Sequence, residues 1–142
     1  MIIVDANVLI YAVNEDAPLH AQSKAWLEEV FSGGETVGLP WTVLLAFLRL
    51  CTRNGIFLKP LAPEEALDVN DRWLDQPSVV IAEPGRRHAR VMRDLLASLG
   101  TAGNLTSDAH IAAIAIEHGA TLVSFDSDFA RFPRLHYRSP LQ

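Results

Sequence analysis

Four aspartates, Asp5, Asp108, Asp126 and Asp128, stand where apolar segments end or helical periods begin, at positions far apart in the chain. A carboxylate held beside two or three others is pushed up in pKa unless a cation intervenes. Carboxylate oxygens are hard ligands that suit Mg²⁺ or Mn²⁺, ions that take a few acids and fill the rest of their shell with water or substrate phosphate. Singly, each acid has a plain structural role. Asp5 can cap a helix, Asp108 can complement a helix dipole beside Ser107, and Asp126 and Asp128 can belong to an Asp-Ser turn. Convergence on one edge is what would make them a metal site.

The other reactive side chains carry less. His88, His110, His118 and His136 lack metal-ligand spacing and read as surface or core residues, with His110 turned away from Asp108 on a helix. Trp26, Trp41 and Trp73 fall at apolar positions and read as core. The single cysteine, Cys51, excludes an internal disulfide and a Cys-based zinc cage, and reads as a small buried hydrophobe. Gly33-Gly34 lacks the context of a phosphate-binding loop and reads as a helix stop.

The elements that must position the acids follow from hydrophobic period. Ile2-Ile3-Val4 is a buried-strand signature, and residues 7–13 read as a helix with Asp5 as its cap. Pro18 suits a first helical position, and Leu19, Ser23, Trp26, Leu27 and Val30 share one stripe as far as Gly33. Residues 36–39 form a second strand, and residues 41–53 an apolar helix stopping at Asn54-Gly55. A helix opens at Pro63-Glu64-Glu65 with Ala66, Leu67, Trp73 and Leu74 inward. Residues 78–82 make a third strand, 86–99 a basic amphipathic helix and 106–118 a helix burying Ile111, Ala112, Ala115 and Ile116. Residues 121–124 make a fourth strand and 135–138 a short fifth. Strands separated by helices require crossover connections, so the fold class is α/β, with a short, mostly parallel sheet of four to five strands flanked by helices. Function in such sheets gathers at the carboxyl ends of the strands, where Asp5 and residues 124–128 fall.

With 142 residues, 49% apolar and 20% charged, the chain fits one domain with a real core. Its longest apolar run cannot cross a bilayer, and its first residues lack the basic flank of a signal peptide, so a reducing cytosol is expected. The formal charge of −5, from 12 basic against 17 acidic residues, argues against a broad electrostatic grip on nucleic acid. Ten of the twelve cations are arginine, grouped at 86–93 and 131–138, and arginine suits bidentate phosphate contacts.

The blocks MIIVDANVLIYA, LPWTVLLAFLRL and NLTSDAHIAAIAIEHGATLVSFDSDFARF, in that order, resemble the PIN-domain ribonucleases, specifically the VapC-type toxins of bacterial toxin–antitoxin pairs. The resemblance implies a single PIN-like three-layer sandwich over residues 1–142. It implies Asp5, Asp108 and Asp126 as catalytic metal ligands with Asp128 as a fourth acid, and Asn7 and Ser124 as supports for the metal or its waters. It implies Mg²⁺, with Mn²⁺ as an alternative, and hydrolysis of RNA phosphodiester bonds by metal-activated water. Arg49, Arg53 and the arginine face at residues 86–93 are the candidates for holding RNA backbone. The expected partners are an RNA substrate, a small VapB-type antitoxin and a second copy of the chain in a homodimer, with no membrane. One position departs: the family's usual Glu in the helix after the second strand is Ala46 here.

Two other readings were open to these residues. A phosphotransfer domain of the haloacid-dehalogenase or receiver type also uses an Asp after its first strand. The first wants a second Asp where Asn7 stands, and both want a lysine that neither Lys24 nor Lys59 supplies. A degenerate PIN domain that binds RNA or a protein without cutting it would rest on Ala46.

Overall fold

The computed structural model describes residues 1–141, and its elements follow in the order β1 (Ile2–Val4), α1 (Ala6–Val13), α2 (His20–Ser32), β2 (Val37–Gly38), α3 (Trp41–Cys51), α4 (Pro63–Leu74), β3 (Val79–Val80), α5 (His88–Leu99), α6 (Thr106–Glu117), β4 (Thr121–Val123) and β5 (His136–Arg138). The five strands form one sheet in the order β3-β2-β1-β4-β5, and every neighbouring pair is parallel. Ile2 is paired with Val37 on one side and Thr121 on the other, so the first strand made is the centre of the sheet. Its three side chains are fully enclosed, which accounts for their unbroken apolar sequence. Each contributes about 1.5–3 kcal/mol by leaving water.

The chain moves outward from β1 through β2 to β3, then returns across the sheet to add β4 and β5 on the other side. The order therefore reverses between β1 and β4, and a crevice opens beyond their carboxyl ends. Helix α1 packs on both α2 and α3, α3 packs on α4, and α5 packs on α6. Phe47 and Trp73 join α3 to α4, with ring centroids 4.7 Å apart. Cys51 is fully buried, and burial pushes its thiol up to about 11, which leaves it an inert packing residue.

Several boundaries differ from those expected. Helix α2 begins at His20, with Pro18 in the turn before it. Helix α3 ends at Cys51, where the Thr52 hydroxyl donates to the Leu48 carbonyl at 2.6 Å. Gly55, with φ of +117°, belongs to the following turn and does not cap the helix. The third strand is only Val79–Val80, because a single neighbour, β2, offers just two residues to pair with. Leu67 is 49% exposed, one position and thus about 100° around α4 from the buried Ala66. Trp41, the first residue of α3, is 45% exposed and is not core. Trp26 is half-buried and Trp73 is buried. No helix among the described residues is long and apolar enough to cross a membrane.

Candidate active site

Asp5 follows β1 directly and is the N-cap of α1, its Oδ1 accepting from the Ala6 amide at 2.8 Å. Its other oxygen, Oδ2, accepts from the Ser124 hydroxyl at 2.7 Å. Ser124 follows β4 and has no exposed surface. Its Oγ also accepts from Asn7 Nδ2 at 3.1 Å and from the Asp126 amide at 3.0 Å. A hydroxyl has one proton to give, and the charged Asp5 oxygen takes it in preference to Asn7 Oδ1, which lies 3.5 Å away. Asn7 Oδ1 accepts instead from the Phe125 amide at 3.2 Å. One buried hydroxyl thus ties together the two chain segments leaving β1 and β4.

Asp126 turns its Oδ1 to the Asp128 amide at 2.9 Å, an Asx turn that starts the 3₁₀ turn Ser127–Arg131. Asp108 lies in the first turn of α6. Burial first, then the charges of Asp126, Asp5 and Asp128, push its carboxyl up to about 6. Asp5 is also raised, by burial and by Asp126, against the bonds from Ser124 and Ala6. The acids drawn from both ends of the chain therefore face one another at the crevice. None of the three ion pairs found among the described residues involves them.

A cleft of about 610 Å³ opens over Asp5 and Asp108, walled by α3 through Thr42, Ala46 and Arg49 and by Met92 of α5. Arg49 is thus brought to the acids, whereas the exposed Arg53 lies past the end of α3 and outside the cleft lining. Ala46 faces this cleft, so the place of the missing carboxylate borders the acids. Among the described residues no three His, Cys, Asp or Glu side chains close into a ready-made metal cage. The donor set nevertheless fits a hard divalent cation: its oxygens are anionic, mutually repelling and without a basic partner. The few ligands suit an ion that keeps several waters.

One group escaped the sequence reading. His88 Nε2 and His110 Nδ1 lie 2.8 Å apart, joining α5 to α6 beside the cleft. Behind them, Glu117 accepts from the amides of Gly85 at 2.9 Å and Arg87 at 3.2 Å, and its Oε1 lies 3.3 Å from His88 Nδ1. Burial alone would raise the Glu117 carboxyl, but the two amides and His88 outweigh it and hold it low. The alignment to His88 Nδ1 is too poor for a hydrogen bond, yet the carboxylate is the anion that nitrogen faces. Which ring donates across the 2.8 Å contact depends on the tautomer, and in either case Nε2 is the polar atom of His110 left outside it. Burial and then His88 lower the His110 pKa, which favours its neutral form. The only sequence signal was the placement of His88, His110 and Glu117 on two adjacent helices.

The PIN-domain profile matches residues 2–135. Ribonuclease VapC37 of Mycobacterium tuberculosis is 47% identical over 140 residues, covering 99% of this chain and 97% of its own. Ribonuclease VapC33 of the same species is 39% identical over 142 residues, covering 100% of this chain and 99% of its own. Among solved structures, VapBC2 from Rickettsia felis bound to a promoter DNA fragment superposes with a TM-score of 0.74 at 22% identity, covering 98% of each chain. The Sarcin-Ricin loop cleaving toxin VapC20 of Mycobacterium tuberculosis gives 0.69 at 18% identity, covering 96% of this chain and 99% of that one. At those identities the superpositions speak for the fold alone.

Proposed function

Because the chain belongs to the PIN-domain family, we propose that it is a divalent-metal-dependent endoribonuclease and the toxin of a VapB–VapC-type pair. Its full-length relatives VapC37 and VapC33 are named ribonucleases, and the enzyme is a hydrolase acting on RNA. The observation that carries the mechanism is Asp108, whose carboxyl is lifted to about 6 by burial and by three acids that reach it from β1 and β4. The site works as one domain in the cytoplasm, with a small antitoxin and a second copy of the chain as protein partners.

Asp5, Asp108 and Asp126 hold the cation, with Asp128 at the rim and Mg²⁺ or Mn²⁺ as the ion. When bound, the ion supplies Lewis acidity to the scissile phosphate and lowers the pKa of a coordinated water. Ser124 keeps the Asp5 carboxylate turned to the crevice, and Asn7 keeps Ser124 in place. Arg49 meets the RNA backbone as a guanidinium donor on the cleft wall. No side chain need become a nucleophile.

The test is incubation of the purified protein with RNA in Mg²⁺, Mn²⁺ or chelator, beside Asp126→Asn. Cleavage that needs the ion and the aspartate is expected. RNA binding with no cleavage in either ion would favour the non-cutting PIN domain that Ala46 suggests.

A further inference from the structure

Trp41 leaves nearly half its surface in water at the first turn of α3, although Val43, Leu44 and Phe47 of the same helix are sealed. Beside its indole lies a hollow of about 270 Å³, lined by Trp41, Thr42, Pro84, His110 and Ile114. Thr42 and His110 line the acid cleft as well, so the two concavities run into one another. We propose that this hollow is a nucleobase subsite, in which Trp41 stacks against the base of a nucleotide flanking the scissile phosphate and the His110 ring meets the edge of that base.

The subsite rests on the ribonuclease reading, since it is placed by the strand that would lie across Asp5 and Asp108. Four features support it, the last of them within that reading. An indole face suits any base, and base–aromatic stacking is the common way to hold an unpaired nucleotide. Pro40, Ala82, Pro84 and Ile114 give the hollow an apolar lining, while Glu83 and Thr42 add polar groups and His110 stands at the boundary with the cleft. The ring of His110 is also fixed: His88 holds Nδ1 at 2.8 Å, and Glu117 stands behind His88. Finally, a chain of net charge −5 with acids along its cleft gains little from phosphate attraction. Its affinity for RNA must come largely from contacts with bases.

The His110 ring carries selectivity, because one held ring nitrogen pairs with a base edge that complements it and is left unpaired by one that does not.

The experiment uses oligoribonucleotides carrying one abasic residue at successive positions around the cleavage site, cut by the wild-type protein, Trp41→Ala, Trp41→Phe and His110→Phe. In the wild type one flanking position should be sensitive to loss of its base. Trp41→Ala should raise KM roughly ten- to hundredfold with kcat little changed, and should erase the abasic penalty at that position. Trp41→Phe should restore most of both, and His110→Phe should keep cleavage while flattening base preference there. Unaltered KM and an unaltered abasic penalty in Trp41→Ala would overturn the proposal. So would light scattering in which Trp41→Ala dissociates an oligomer with RNA binding intact, which would assign the indole to a protein interface. Failure of the wild type to cut RNA would count against the nuclease reading instead. In that case quenching of indole fluorescence by oligoribonucleotide, present in the wild type and lost in Trp41→Phe, still decides the subsite: an equal quench in both overturns it.

Discussion

The Ser124 hydroxyl gives its single proton to Asp5 Oδ2 at 2.7 Å, across a separation of 119 residues in sequence. That bond joins the carboxyl ends of the central strand and its last-made neighbour. It also fixes which way the Asp5 carboxylate faces.

Ser124→Ala should therefore act on two measurements at once. Removing the buried hydroxyl strands Asn7 Nδ2 and the Asp126 amide, which should cost about 1–3 kcal/mol in chemical denaturation. Losing the orientation of Asp5 should weaken Mn²⁺ binding roughly ten- to hundredfold by calorimetry. Lost stability with unchanged metal affinity would make Ser124 a purely structural residue.

Asp108 sets a pH dependence. Its folded carboxyl titrates at about 6 against an ordinary 3.8, so between those values the folded protein holds more protons than the unfolded chain. Metal-free stability should then fall as pH rises from about 4 to about 6 and level off above. Asp5, also raised, adds a slope of the same sign. Asp108→Asn should melt higher than the wild type at pH 7 without metal and lose part of that slope. A variant that melts lower would show the acid to be a structural support of α6.

Ala46 stands on the cleft wall beside Asp5 and Asp108, so Ala46→Glu adds a fifth carboxylate to Asp5, Asp108, Asp126 and Asp128. Mn²⁺ should bind roughly tenfold tighter or better, since ligand charge sets affinity for such ions. The native protein should need Mg²⁺ on the order of millimolar. The metal-free variant should be less stable through added repulsion. Calorimetric titration of both proteins decides it, and equal affinities would show that residue 46 cannot reach the ion.

Gly85 passes so close to Glu117 that a Cβ there would lie 2.6 Å from Oε2. Gly85→Ala should push the carboxylate off the Gly85 and Arg87 amides and release His88 from its anion. Nitrogen NMR of the histidine rings should then show His110 sampling both tautomers, where the wild type shows one. A single unchanged tautomer would mean that Glu117 does not set the order of protons.

The strand ends were legible because Ile2-Ile3-Val4 and Thr121-Leu122-Val123 are β-branched-rich runs with an acid one to three residues beyond them, and parallel topology gathers such ends. Ser124 and Asn7 came only through family resemblance, since a Ser and an Asn carry no spacing signal of their own. The Glu117–His88–His110 chain was hidden because it joins side chains of two helices, and the packing of one helix face on another is not written in either period. Trp41 was misplaced for a related reason. An indole at an apolar position fits a core as well as a helix tip, and only the first-turn location of residue 41 separates the two.

The sheet order has a consequence for the life of the chain on the ribosome. The central strand β1 is made before its neighbour β4, and Asp126 lies three residues past the end of β4. Until that late segment emerges, Asp5 and Asp108 have no Asp126 beside them and Asp5 has no Ser124. Translation therefore assembles the acid cluster only once β4 and the turn after it have emerged.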